Sequence, residues 1–281
     1  MIAERRGFRH AREIRRRLPT TNNGDAMLRH SIETVVENTL VACLGVVAAA
    51  DGKVVGGLIA VIGILLLVGI IIYCVRRSEK KRTEQFQQVA QDLGLPFFPK
   101  GDDSLLERLD HFHLFSQGHS RKIKNMLHGE TDDVELAIFG YRYIVGGGKH
   151  THMYNQSVIY FRSPTLNLPQ FAVRPEGLFH KVGGAFGYQD IDFETHPQFS
   201  RTYLLRGDDE LAVRELFSEE LLTFFESQQK ISVEGGGDQL VFYRGGKRMK
   251  PDEVQQFMQE GYRVFALFRG VAEGRSPAAT A

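Results

Sequence analysis

Asp190, Asp192, Glu194 and His196 recur at every second position, with Ile191 and Phe193 between them. On a β-strand this spacing puts the acidic groups on one face and the apolar pair on the other. Oxygen donors so arranged can hold a hard divalent ion. These four residues are therefore the metal-site candidates of the chain, and they carry one function class, a membrane-bound, metal-dependent hydrolase. The same alternation also describes a half-buried strand with a solvated outer face, and that bland reading is preferred.

Other chemistry-bearing residues form weaker patterns. His150 and His152 share one side of a strand, and His111, His113 and His119 lie nearby in sequence. Imidazoles so placed can bind zinc, but no Cys accompanies them and no HExxH spacing appears. Gly146-Gly147-Gly148 and Gly183-Gly184-Ala185-Phe186-Gly187 lack the Gly-Lys-Ser/Thr ending of a phosphate loop and read as turns. Ser163 and Ser200 have no GxSxG elbow. Asn155-Gln156-Ser157 fits a glycosylation sequon, which a cytoplasmic location would silence. Arg174-Pro175-Glu176 reads as a structural ion pair, closed across its own turn or bridging to the Asp190 segment. No catalytic residue, cofactor-binding residue or cofactor is expected.

The elements that must position these groups begin with an anchor. From Val54 to Val75 the chain runs 22 residues without a charge, and Arg76, Arg77, Lys80, Lys81 and Arg82 come directly after. Such a helix is roughly 33 Å long, enough to cross a hydrocarbon layer of roughly 30 Å. Lys53 stands alone on the other side, beside Asp51. The charge asymmetry places the C-terminal domain in the cytoplasm, on a single-pass protein of the cell's inner membrane.

The N-terminus is odd. Residues 1–30 hold 8 Arg against 3 acidic residues, and the apolar run from Leu40 to Ala50 is too short to span. It suits the apolar core of a signal peptide, with Ala48-Ala49-Ala50 as a small-residue cleavage site and Met27 rather than Met1 as the start. The alternatives are an uncleaved helical hairpin over 31–75, made costly by Glu33 and Glu37, and a disordered basic tail.

Beyond residue 75 the chain holds 26 Lys and Arg against 28 Asp and Glu, which gives no electrostatic case for nucleic-acid binding. Both cysteines, Cys43 and Cys74, lie in apolar stretches at or in the membrane, so the soluble part can form no internal disulfide.

Phe86, Val89, Ala90 and Leu93 give a helical stripe that Gly94 and Pro96 stop. A short helix falls within 103–115. Val134, Leu136, Ile138, Tyr141 and Tyr143 read as a strand with a bulge at Gly140, joined through the glycine run to another over 153–161. Residues 170–173 add an edge strand. Residues 202–206 form a strand, and Asp208 caps a helix carrying Leu211, Leu216 and Phe217. Ser218 opens a further helix burying Leu221, Leu222, Phe224 and Phe225. Ile231–Val233 and Leu240–Tyr243 pair across Gly235-Gly236-Gly237-Asp238. Pro251 starts a long amphipathic helix with Val254, Phe257, Met258, Gly261, Tyr262, Phe265 and Ala266 on its stripe.

The expected organisation is thus an N-terminal extension over 1–53, a transmembrane helix over 54–75, a cytoplasmic domain over 76–270 and a disordered tail over 271–281. The fold class is α+β: a single transmembrane helix, then a mixed, mainly antiparallel sheet with flanking helices and a long C-terminal helix.

The stretch His196-Pro197-Gln198-Phe199-Ser200-Arg201-Thr202-Tyr203-Leu204-Leu205-Arg206-Gly207-Asp208-Asp209-Glu210, continued by Leu216 and the acidic-capped Leu221-Leu222 helix, resembles a family of uncharacterised bacterial membrane-anchored proteins, a domain of unknown function. The resemblance covers 190–268 best and extends less fully over 122–189. It implies a membrane-anchored protein and no activity. The expected function is a non-enzymatic interaction module whose partners are the lipid bilayer and another protein.

Overall fold

The computed structural model describes residues 52–147, 150–176, 190–272 and 274. The expectations for residues 1–51, for the glycine loop at 183–187 and for the tail beyond 274 lie outside these residues.

Helix α1 (Gly52–Leu93) is one unbroken element of 42 residues. The helix expected to begin beyond the span is not a separate element: the stripe of Phe86, Val89, Ala90 and Leu93 continues α1, because no Gly or Pro lies between residues 76 and 93. Val61, Ile64, Leu65, Leu67 and Ile71 are each more than half exposed. Among the described residues this is the one helix long and apolar enough to cross a membrane, and none of its apolar window is buried.

The far end of α1 has a different environment. Phe86 and Ala90 are buried in the main core, with Val89 and Leu93 packed partly against it. Gly94, at φ +70°, ends the helix. Its N–H bonds the Gln91 carbonyl and the Leu95 N–H bonds the Ala90 carbonyl, the paired closure of a Schellman motif.

Residues Lys80–Ala281 form one compact unit. At its centre is an eight-stranded sheet in which every pairing is antiparallel. The strands are β1 (Phe97–Phe98), β2 (His119–Glu130), β3 (Glu135–Val145), β4 (His152–Arg162), β5 (Leu168–Pro175), β6 (Tyr203–Gly207), β7 (Ser232–Gly237) and β8 (Gln239–Tyr243). Their spatial order is β1-β2-β3-β4-β8-β7-β5-β6.

Three strand expectations need correction. The irregularity expected at Gly140 lies on the opposite strand, where the β2 register shifts between Lys124 and Leu127 around Asn125 at φ 51°. Strand β5 is not an edge, since it pairs with both β7 and β6. The β7–β8 turn is tighter than expected, because Gly235 and Gly236 are paired strand residues. A Cβ on Gly235 would lie 2.4 Å from a Phe171 ring carbon, so close packing explains glycine there.

The central strands are buried on both faces, which is why Val158-Ile159-Tyr160-Phe161 and Leu240-Val241-Phe242-Tyr243 read as continuous apolar runs. One face carries Ile138, Ile159, Phe161, Phe242, Val233 and Val173 against the helical layer. That layer comprises α4 (Pro197–Thr202), α5 (Glu210–Leu216), α6 (Glu219–Ser227) and α7 (Val254–Ala272), the last entered through a 3₁₀ turn at Pro251–Glu253. The other face carries Phe139, Tyr141, Tyr143, Val158, Tyr160 and Tyr243 beneath α2 (Asp103–Arg108) and α3 (His113–Ser116).

The helix caps show what local pattern misses. Asp209, not Asp208, caps α5 by accepting from the Ala212 N–H, and Leu211 is left 76% exposed. Ser218 makes no side-chain cap bond, and Phe224 is only half-buried. Helix α7 continues two residues past the expected boundary at 270, to Ala272.

Because Phe86 is 3% exposed at the point where α1 joins the core, Phe86→Ala should cost about 3–5 kcal/mol. With no Trp in the chain, denaturation followed by far-UV circular dichroism of the detergent-solubilised protein is the suitable measurement.

Candidate functional site

The second sheet face changes character between β8 and β7. Register places Glu234 opposite Val241, and Ala172 opposite Glu234, so Arg174, Glu234 and Tyr243 share this face. Glu234 is 1% exposed and Arg174 is 7% exposed. Uncompensated, a carboxylate so deeply buried would be very costly. Its partners supply the compensation. Oε1 accepts from Arg174 Nη2 and from the Tyr243 hydroxyl, the latter at 2.7 Å. Oε2 accepts from the Leu114 N–H at 3.2 Å. The Arg174 guanidinium carbon also lies 6.0 Å from the centre of the Tyr243 ring.

Helix α3 supplies the lid of this cluster. Besides the Leu114 amide it contributes His113, which is 8% exposed. Burial, and then the positive field of Arg174, holds the imidazole down at about 4, while Glu234 pulls the other way. His113 is therefore neutral at ordinary pH. Burial also raises the Tyr243 phenol well above its usual value. Beside the cluster, Phe115, Tyr141, Tyr143 and Tyr154 form a ladder of rings 4.6, 5.5 and 5.1 Å apart between successive centres.

Chemically this is a locked charge. Glu234 already accepts from three donors and has almost no contact with solvent. What it does is join α3 to β5, β7 and β8 across 120 residues of sequence. The ion pair expected at Arg174 exists, but its partner is Glu234 rather than Glu176 or the Asp190 segment. Sequence reasoning missed Glu234, Tyr243 and His113 as a group. The available signal was a lone carboxylate next to Val233 in a buried strand.

The Asp190 segment is not a strand. Residues 190–196 are irregular, with a turn at Glu194-Thr195, so the alternation sets up no common acidic face. Asp190 Oδ1 accepts from the Leu205 N–H at 3.0 Å, and the Ile191 N–H bonds the Leu205 carbonyl at 2.9 Å. Burial raises the Asp190 carboxyl above its usual value. The Asp192 carbonyl, not its side chain, accepts from Arg214 at 2.7 Å. Glu194 is exposed, and His196 precedes α4 with Nδ1 3.4 Å from Glu226 Oε1.

The remaining histidines are spread out. His119 reaches Ser120 Oγ and the Gly146 carbonyl, His111 stacks on Phe112, and His150 and His152 are exposed. Among the described residues, no three His, Cys, Asp or Glu side chains are grouped so that they could hold a metal. Of the five basic residues just beyond the span, Arg82 is drawn into the domain. It donates to the Met249 carbonyl and lies 4.8 Å over the Phe86 ring.

No protein-family model matches this chain, and no curated protein does. Among solved structures it is similar to the crystal structure of the mycobacterial trehalose monomycolate transport factor A, TtfA. The identity is 14% and the TM-score 0.50, over 70% of this chain and 97% of that one. At that identity the likeness concerns the fold, and it places the α+β architecture in a protein already solved.

Two measurements test this site. Glu234→Ala, which strands Arg174 in the interior, should cost about 3–5 kcal/mol, whereas Glu234→Leu combined with Arg174→Met should cost far less. The second measurement is pH dependence. The His113 pKa falls from 6.5 to about 4 on folding, so the unfolded chain binds the extra proton between those values. The stability that neutral His113 represents is complete above pH 6.5 and is lost as pH falls toward 4. Relative to wild type, His113→Gln should show a flatter stability curve over that interval.

Proposed function

We propose that this chain is a membrane-anchored, non-enzymatic interaction module, held on the cytoplasmic side of the inner membrane, that binds another protein. The observation that carries the proposal is α1. Its first part is apolar and uncovered, while Phe86 and Ala90 near its end belong to the domain core. A large apolar surface left bare on a folded protein needs a second apolar phase, and a helix of this length suits a bilayer. The run Arg76, Arg77, Lys80 and Lys81 favours the cytoplasmic side for the domain beyond it.

Two further observations support a binding role. The similar solved structure is that of a transport factor by its printed name, a description compatible with a membrane-associated protein that is not an enzyme. Both oxygens of the buried Glu234 carboxylate also accept hydrogen bonds from within the protein. The likeness of residues 190–268 to a family of bacterial membrane-anchored proteins belongs to the same proposal.

The test is fractionation together with topology. The full chain should stay with membranes through alkaline carbonate, loss of residues 54–75 should release it, and a reporter fused after Ala281 should be active only inside the cell. Carbonate extraction of the intact chain, or an external reporter, would overturn the proposal.

A further inference from the structure

The loop from β8 to α7 reads Arg244-Gly245-Gly246-Lys247-Arg248-Met249-Lys250-Pro251, with four basic residues and no acidic one. Its charge is lost in the near-neutral balance of the domain, and the structure gives it a place. Arg82 Nη2 donates to the Met249 carbonyl, so the middle of the loop is tied to the basic stretch of α1. Lys80, Lys81 and Arg82 belong to the same compact unit as the loop. Lys80, Lys81, Lys247 and Lys250 are all exposed.

The loop is also firmly shaped. Met249 is buried, and its N–H bonds Ser157 Oγ at 2.9 Å. The Gly246 N–H bonds Gln156 Oε1 at 3.1 Å, and the Lys247 N–H bonds the Arg244 carbonyl. The Lys250 N–H bonds Glu253 Oε2, so that carboxylate is engaged with backbone at the start of the helix. Arg244 is paired with Glu260 at 3.0 Å and donates to the Gln229 carbonyl, which leaves Lys247, Arg248 and Lys250 as the exposed basic residues of the pinned loop.

Chain length then limits how far this loop can be from the bilayer. Arg82 lies seven residues beyond Val75 on the same unbroken helix, about 10 Å further along its axis, and the loop is bonded to it there. Lys247 also lines a cleft of about 50 Å³ with Ser157, Met249, Glu253 and Glu260, which has room for no more than a few waters and none for a headgroup. The binding surface must be the outer side of the loop.

We propose that Lys247 and Lys250, pinned beside α1 by Arg82, dock on anionic phospholipid headgroups and fix the orientation of the domain on the membrane. This rests on the membrane-anchored reading above. Each such lysine near an anionic surface contributes on the order of 1 kcal/mol, and the attraction decays within about 8–10 Å at physiological salt.

The full chain in lipid nanodiscs tests this by reductive methylation of lysines, read by mass spectrometry. Discs are made with phosphatidylcholine alone or with phosphatidylglycerol added. In anionic discs, Lys247 and Lys250 should react on the order of tenfold more slowly than in neutral discs. The difference should vanish at high salt, while exposed Lys122 and Lys124 should react equally in both. Lys80 and Lys81 separate the two readings. If they slow and Lys247 and Lys250 do not, the docking is overturned and the anchor stands. If the chain enters neither disc, both fall. Slowing of Lys247 and Lys250 in neutral discs on adding inorganic phosphate would overturn the assignment to lipid.

Discussion

One helix has to satisfy two environments, and the rest of the molecule is arranged around that constraint. Through its first part, from Val54 to Val75, α1 carries no charged side chain and none of its apolar window is buried, so no face is set aside for protein. Past Lys81 the apolar residues narrow to one stripe, and Phe86 and Ala90 enter the core against the sheet. The change from all-round to one-sided apolarity happens without a break in the backbone, because no Gly or Pro interrupts residues 76–93. The Schellman closure at Gly94 ends the helix only after its stripe is spent.

The sheet has its own requirement, met by Glu234. Closing eight strands from segments distant in sequence leaves α3 to be fastened to strands more than a hundred residues away. A hydrophobic contact could do this without fixing register, since apolar surfaces slide at little cost. A buried carboxylate cannot slide, because each of its three donors must stay within hydrogen-bonding range or leave a charge uncompensated. Arg174, Tyr243 and the Leu114 amide come from three different elements. The cluster therefore specifies one arrangement of them, and neutral His113 beside it avoids adding a second positive charge next to Arg174.

Where period and punctuation dominate, the fold is legible in the sequence: the apolar span, the stripe ended by Gly94, the β3–β4 hairpin, the 251–272 helix and the α+β class. The failures have specific physical causes. The alternation from Asp190 to His196 mimics a strand, but Asp190 is committed to the Leu205 N–H and the residues after it turn, which no local pattern reveals. Glycine is the usual mark of a bulge and points to Gly140, whereas Asn125, another residue tolerant of positive φ, carries the irregularity. Strand β5 resembles an edge because only residues 170–173 of its eight read as strand, and its two neighbours come from further along the chain. The Glu234 cluster depends on pairings 9, 60 and 120 residues apart, and the two longer ones lie beyond any window of local sequence.

Asp190 has a structural use that narrows how a partner could bind. Strand β6 ends the sheet, and an open edge invites another strand to pair with it. Asp190 takes the outward N–H of Leu205 and Ile191 takes its carbonyl, so the centre of that edge is already occupied. At the other end β1 is only two residues long, and the Pro96 and Pro99 carbonyls meet the His128 and Asn125 amides of β2. With the centre of β6 filled and β1 so short, strand addition is disfavoured at those places.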